Sequence, residues 1–263
     1  SSTSLAAKGA QVRRGDLDDL ESIRAGADDA EAVIHLANKH DFDNPAASNK
    51  AERAAVEAIG TVLAGSGRPF LLASGTAGLS LGREATERDR SPFSGPDAPR
   101  GGSENLALDF VDRGVHTVIL RFAPTVHGDG DHGFIAALVG IARNRGSAGY
   151  VGNGTNRWSA VHRSDAARLV RLGLERAPAG ALLHAVGENG VPAREIADAI
   201  GRGLDLPAVS VPAEDVARHF GWIGAFFAMD IPASSTLTQQ LLGWSPTGPT
   251  LLDDLNGGSY FRR

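Results

Sequence analysis

Cysteine is missing from all 263 residues, which excludes a disulfide framework and thiolate chemistry and leaves the redox compartment unreadable. Tyrosine is nearly as scarce, with only Tyr150 and Tyr260. No apolar run reaches the length of a membrane span; the nearest, residues 216–229, is interrupted by Arg218, His219 and two glycines. No basic block offsets the net charge of -5, so there is no electrostatic footprint for nucleic acid or an anionic membrane. No signal peptide precedes Ser1, and the expected compartment is the cytoplasm.

What is present suits a folded α/β protein. Residues 33–40 read V-I-H-L-A-N-K-H, a short apolar run that turns polar at Asn38. An amphipathic pattern through Asp18, Leu20, Ile23 and Ala27 leads into it, and an alanine-rich helical pattern over 46–64 follows. A nearly continuous apolar strand between helices belongs in a parallel sheet covered on both faces, whose ligands sit at the carboxyl ends of the strands. Here that end is Leu36, Ala37 and Asn38. Further strands are expected at 10–14, 70–73, 116–122, 148–151, 159–162 and 181–186. Helices are expected at 1–8, 17–25 (N-capped by Asp16), 101–113, 134–145, 165–176, 193–203, 213–229, 235–243 and 251–255. This order predicts a doubly wound parallel sheet with a small C-terminal lobe capping its ligand edge.

Five segments in this order resemble the extended or atypical short-chain dehydrogenases/reductases, the NAD-dependent epimerase/dehydratase family. Gly15-Asp16-Leu17 is similar to that family's G-D-(L/I), which implies that Asp16 and Leu17 cover the adenine. Residues 33–37 resemble its V-x-H-L-A strand, where Leu36, Ala37 and then Asn38 would pass the adenosine and pyrophosphate. Residues 71–76, L-L-A-S-G-T, resemble the strand ending in S-S-(S/T). This implies that Ala73, Ser74 and Gly75 border the cofactor and that Thr76 stands for the catalytic hydroxyl. Residues 121–128, R-F-A-P-T-V-H-G, are similar to R-x-x-x-V-Y-G, placing Phe122, Ala123, Pro124 and Val126 beside the nicotinamide. Residues 161–167 resemble V-H-V-x-D-x-A, which ties the C-terminal lobe to the sheet.

The resemblance implies a Rossmann-like fold, NADP or NAD as cofactor, a small-molecule substrate and no metal. It implies a dinucleotide-binding part over 1–126 and 164–188, with 127–163 and 189–263 as the smaller substrate lobe. It also implies a homodimer through helices 46–64 and 101–113, where Ala51, Ala54, Ala55 and Ala58 permit close approach. The same alanines suit packing on the sheet.

Two departures stand beside these matches. The glycine-rich G-x-x-G-x-x-G, which lets backbone approach a pyrophosphate at a helix N-terminus, is missing. With 10–14 as the family's third strand, the missing strand–helix–strand unit, about 30 residues or more, falls upstream of Ser1 and the sheet is expected to be N-terminally incomplete. The Tyr-x-x-x-Lys pair is missing too: aligning Ser103-Glu104 with the family's S-K puts Arg100 at the tyrosine position and Glu104 at the lysine position. An arginine is effectively always protonated and makes a poor proton shuttle.

Each candidate residue carries a second reading. Ser74 and Thr76 either bond a substrate carbonyl or merely end a buried strand. Arg100 and Glu104 are site residues or a surface pair four apart on a helix. His127, Asp129, Asp131 and His132 are zinc ligands by type, yet three interspersed glycines make a turn-rich loop. His127 or His132 as a substrate-facing acid/base in place of the tyrosine is the stronger reading. Lys39 neutralises a cofactor phosphate or is a loop cation, while Asp41 and Asp43 are turn residues. Trp222, Phe226 and Phe227 pack the C-terminal lobe or wall a substrate. The expected function is an NAD(P)-dependent oxidoreductase or epimerase/dehydratase lacking the usual pair; the alternative is a non-catalytic NAD(P)-binding sensor or scaffold.

Overall fold

A computed structural model describes residues 2–41, 44–80 and 82–262; Asp43, expected as a turn residue, lies outside them. The chain divides into two compact units, one of Ser1–Leu72, Phe93–Val118 and Pro178–Gly180, the other of Ala73–Pro92, Ile119–Ala177 and Ala181–Arg263.

The first unit contains α1 (Ser2–Ala6), α2 (Leu20–Asp28), β1 (Val33–His35), α3 (Pro45–Leu63), the start of β2 (Pro69–Gly75), α4 (Ser103–Asp109) and the start of β3 (His116–Phe122). β1 and β2 are parallel, with Val33 opposite Phe70 and His35 opposite Leu72. α3 opens on Pro45, whose fixed φ suits a first turn, and the Asn44 side chain caps it by accepting from Ala47 N at 3.3 Å. The helix buries Ala55, Val56, Ile59 and Leu63. At Gly60 it meets the Phe110 ring so closely that a Cβ would lie 2.5 Å from it. Ala51, Ala55 and Ala58 are buried within the chain itself. Arg68 closes the end of α2, its Nη1 donating to the carbonyls of Ala27, Asp28 and Ala30 at 3.1, 3.0 and 2.8 Å.

Three expectations change here. Residues 10–14 form no strand, because no strand lies alongside to complete a ladder among the described residues. The helix expected at 17–25 starts at Leu20, capped by Asp19 accepting from Ser22 N at 3.2 Å. Asp16 instead closes a turn, accepting from Asp18 N at 3.0 Å. The helix expected at 101–113 starts only at Ser103, because Arg100, Gly101 and Gly102 take left-handed φ of 55°, 62° and 62°. It gives way to a 3₁₀ turn at Val111–Arg113, and Gly114 at φ 75° ends it.

The second unit holds the rest of β2 and β3, followed by β4 (Thr125–His127), α5 (Phe134–Arg145), β5 (Ala148–Val151), β6 (Arg157–His162), α6 (Arg163–Arg176), β7 (Leu182–Ala185) and β8 (Glu188–Pro192). α7 (Ala193–Leu204), β9 (Ala208–Val211), α8 (Val216–Phe220), α9 (Gly224–Phe227), α10 (Thr236–Leu242) and α11 (Leu251–Asn256) complete it. β3 and β7 are parallel, Ile119 opposite Leu182, in a sheet of order β1-β2-β3-β7. β4, β6 and β8 form a second sheet, and β5 and β9 a third. The architecture is α/β with a parallel sheet, as the alternation of patterns predicts. The helix expected at 213–229 is broken by Gly221, whose φ 62° and ψ -137° no helix accommodates.

The core of this unit gathers Ile135, Leu138, Trp158, Ile196, Ile200, Phe220 and Phe227 around Leu251 and Leu255 of α11. The last residues are clasped onto it. Tyr260 Oη donates to Asp131 Oδ2 at 2.8 Å and accepts from Gly128 N at 3.2 Å, and Arg143 Nη2 donates to Phe261 O at 3.0 Å. No helix among the described residues is long and apolar enough to cross a membrane.

Candidate functional site

In the first unit the chain turns polar at the carboxyl end of β1. Leu36 and Ala37 are exposed there, but Asn38 turns inward and its Nδ2 donates to Glu52. Glu52, on α3, is 1% exposed. It also accepts from Arg100 Nη2 at 2.6 Å and Nε at 3.1 Å, a bidentate, charge-assisted pair. Arg100 thus pairs across to α3; it lies before α4 in a left-handed turn, so the expected helical pair of Arg100 and Glu104, four apart, is corrected. Glu104 is buried in the first turn of α4. The turn is pinned at each peptide. Arg100 N donates to Asn49 Oδ1 at 2.8 Å, Ser103 Oγ donates to Arg100 O, and Arg53 Nη1 donates to Gly101 O at 2.8 Å.

His35 is buried in this unit. Burial, and secondarily the charge of Arg100, hold its pKa down at about 4, so the imidazole is neutral at pH 7. Its Nε2 is buried without a hydrogen bond. Lys39 gives its ammonium to the Asp18 carboxylate at 2.6 and 2.7 Å. Asp16 is exposed and Leu17 half-buried at the turn before α2.

In the second unit, Ala73, Ser74 and Gly75 are half-buried at the end of β2 and Thr76 is buried. Thr76 N donates to Phe122 O at 3.0 Å, and its Oγ1 lies 3.5 Å from Ser159 Oγ. Phe122, Pro124 and Val126 are half-buried, and buried Ala123 donates its N–H to Ala185 O at 3.2 Å. The buried Arg121 sends Nη1 to Asp89 O at 2.8 Å and to His184 Nε2 at 3.2 Å. His184 Nδ1, 2.7 Å from Ser234 O, carries the ring proton, which leaves Nε2 as the acceptor.

His127 is fully buried, its Nδ1 2.6 Å from Asp254 Oδ2 and its Nε2 3.7 Å from Glu188 Oε2. His162 stands edge-on to it with centroids 5.5 Å apart. Burial raises the pKa of Glu188. His132 is exposed. Asp131 is engaged by Tyr260 and by Gly133 N at 2.6 Å, and the Asp129 carbonyl accepts from Arg163. Among the described residues no group of three or more histidine, aspartate or glutamate side chains is placed to hold a metal ion. Trp158 is ringed by Phe134, Phe226 and Phe227 at centroid distances of 5.8, 5.0 and 5.1 Å. Trp222, 49% exposed, leans on Phe134. Arg157 pairs with Asp230 at 2.9 Å.

Sequence reasoning passes over Glu52, His35 and Asp254. The signal for Glu52 is its place on the stripe of Ala55, Val56 and Ile59, where a carboxylate stays only if a cation meets it. Chemically, the first unit offers a fixed guanidinium near a neutral imidazole, and the second a buried hydroxyl at a strand's carboxyl end. Tyr260 is engaged with Asp131, and burial raises its pKa further from neutrality.

No protein-family model matches the chain. It is 45% identical over 258 residues to the uncharacterized protein C2A9.02 of Schizosaccharomyces pombe, covering 98% of this chain and 87% of that one. It is 42% identical over 246 residues to the uncharacterized protein YLL056C of Saccharomyces cerevisiae, covering 94% and 82%. Among solved structures it is similar to DesIV, a dTDP-glucose 4,6-dehydratase from Streptomyces venezuelae with NAD bound, at a TM-score of 0.77 and 19% identity over 98% of this chain and 82% of that one. The chain belongs to the same protein family as C2A9.02 and YLL056C, built on the Rossmann-like fold of that dehydratase.

Proposed function

We propose that this chain acts as an NAD(P)-dependent oxidoreductase or epimerase/dehydratase on a small molecule, without a Tyr-x-x-x-Lys pair. The observation that carries the reading is Thr76. Its hydroxyl is buried at the carboxyl end of β2 beside Ser159, with its backbone held by Phe122, where a parallel sheet presents groups to ligands. NADP or NAD, when bound, supplies the hydride chemistry.

The residues present fit part of such a cofactor. In the first unit the adenosine contacts fall on Asp16, Leu17, Leu36, Ala37 and Asn38; exposed Leu36 offers an apolar surface for a base to cover. In the second, contacts of the nicotinamide half fall on Ala73, Ser74, Gly75, Phe122, Ala123, Pro124 and Val126. The phosphate-cradling turn is not within these 263 residues. Among the described residues β1 pairs only with β2.

Thr76 donates to a substrate oxygen. Arg100, in the first unit, supplies a permanent positive charge for an anionic group of the bound ligand rather than a proton. His127, expected as the acid/base, is assigned instead to positioning, since its ring faces Asp254 and Glu188. The homodimer and a cytoplasmic setting belong to the same reading, the dimer being checked by light scattering. A sensor that binds the cofactor without turnover is the second reading, favoured by Arg100 and Glu104 in place of the proton-shuttling pair.

The test is calorimetric titration of NADPH and NADH into this chain and into the longer C2A9.02, followed by a screen of aldehydes, ketones and sugar nucleotides. Binding with turnover supports the enzyme, and binding without turnover supports the sensor. Absence of binding in both proteins overturns the proposal.

A further inference from the structure

We infer that Glu52 is a positioning residue that clamps Arg100 by one edge of its guanidinium, so that Nη1 donates to a phosphate or carboxylate oxygen of a bound ligand. The inference rests on reading this part of the first unit as belonging to the functional site. Nε and Nη2 are both committed to the Glu52 carboxylate at 3.1 and 2.6 Å, while the Arg100 side chain keeps 38% exposure. An arginine on a flexible stem loses much rotamer freedom when it binds an anion; one held in advance on a buried carboxylate does not.

The backbone adds a second observation. Three successive left-handed residues, the first of them Arg100 at φ 55°, form a conformation that L side chains rarely adopt. The two that follow are glycines which accept no side chain. A Cβ on Gly101 would lie 2.5 Å from Asn49 O, and one on Gly102 2.8 Å from Gly95 N. Strain held by this many contacts is a mark of a position that must not move. The third observation is His35, whose buried Nε2 makes no hydrogen bond and whose ring lies within reach of the charge of Arg100. A neutral imidazole next to a clamped guanidinium leaves the positive charge for a ligand and adds none of its own.

The pair also explains why an arginine stands here. Lysine offers a point charge without the planar fork that shares one edge with Glu52 and leaves another donor for a ligand. Asn38, at the end of β1, completes the Glu52 carboxylate and so couples the clamp to the strand end.

The test reads the arginine directly, in the full chain labelled with nitrogen-15. The Arg100 Nε–H resonance, assigned by its loss in Arg100→Lys, should exchange slowly in the wild type and collapse into fast exchange in Glu52→Gln. Inorganic pyrophosphate and malonate are then titrated separately to distinguish a phosphate from a carboxylate ligand. The expected result is a shift of the Arg100 resonance by one of them. The affinity for that anion should fall about 10- to 100-fold in Arg100→Lys, the loss of one charge-assisted hydrogen bond. If Glu52→Gln fails to fold, the wild-type exchange rate tests the clamp and Arg100→Lys tests the anion. Fast exchange of Arg100 in the wild type, or no response to either anion, overturns the inference. Pyrophosphate binding at Arg100 with no binding of NADH or NADPH by this chain or by C2A9.02 would retain the clamp and overturn the cofactor reading instead.

Discussion

His127 Nδ1 lies 2.6 Å from Asp254 Oδ2, a contact between residues 127 positions apart that joins β4 to α11 through a wholly buried imidazole. Around it Leu251 N donates to Glu188 Oε2 at 2.8 Å, so the same carboxylate cluster also holds the first turn of α11. Taking away the hydrogen-bond partner of a buried polar group leaves that group unsatisfied, at a cost of about 1–3 kcal/mol. Asp254→Asn and His127→Ala are therefore expected to lower the urea midpoint sharply. A positioning role predicts that any turnover remaining at low temperature keeps its KM. A large drop in kcat with unchanged stability would return His127 to acid/base chemistry.

A second expectation concerns pH. His35 has a folded-state pKa of about 4, against about 6.5 for a free imidazole, because burial and then Arg100 disfavour its charged form. Above pH 6.5 both states are neutral and the residue contributes its full share of stability. As the pH falls from 6.5 towards 4 the unfolded chain takes up a proton that the folded chain refuses. Stability is then lost, by on the order of 3 kcal/mol at the lower limit. Urea unfolding at pH 7 and pH 5 should show this slope, and His35→Asn should flatten it. An equal slope in the variant would assign the loss to other groups.

The turn at Arg100 supplies a third. Gly101→Ala introduces a Cβ at 2.5 Å from Asn49 O and 2.8 Å from Arg53 Cβ, at φ 62°. The penalty combines overpacking with left-handed strain, roughly 2–4 kcal/mol. Gly65→Ala, at φ 73° but with nothing within 4 Å of the added Cβ, carries the conformational part alone and should cost about 1 kcal/mol. Thermal unfolding of the two variants separates the contributions; equal losses would show that the Asn49 contact yields freely.

A fourth test falls on Thr76. Thr76→Val keeps the shape and removes the hydroxyl, so kcat/KM on the best substrate found should drop about 10- to 100-fold while cofactor affinity holds. An unchanged kcat/KM would reduce Thr76 to the polar end of a buried strand.

Residues with strong local periodicity were legible. His116–Phe122 and Phe134–Arg145 carry seven apolar-rich strand residues and a full helical stripe, and both form at the expected bounds. β8 was not, because E-N-G-V-P places glycine and proline where a strand pattern wants β-branched residues. Residues 10–14 show the converse: the expected short strand does not form, and no strand lies alongside it among the described residues. At the candidate site, Thr76 and Arg100 were reachable through motif order. Glu52 and Asp254 were not, since each matters for a partner 48 or 127 residues away that no local pattern announces.

The clasp at the end of the chain has a practical side. Phe261 fills the space over Gly203, where any Cβ would overlap its ring at 1.9 Å, and Tyr260 ties that turn to Asp131. A purification handle or fluorescent fusion joined directly after these residues pulls on a packed aromatic plug, so such attachments belong behind a flexible spacer.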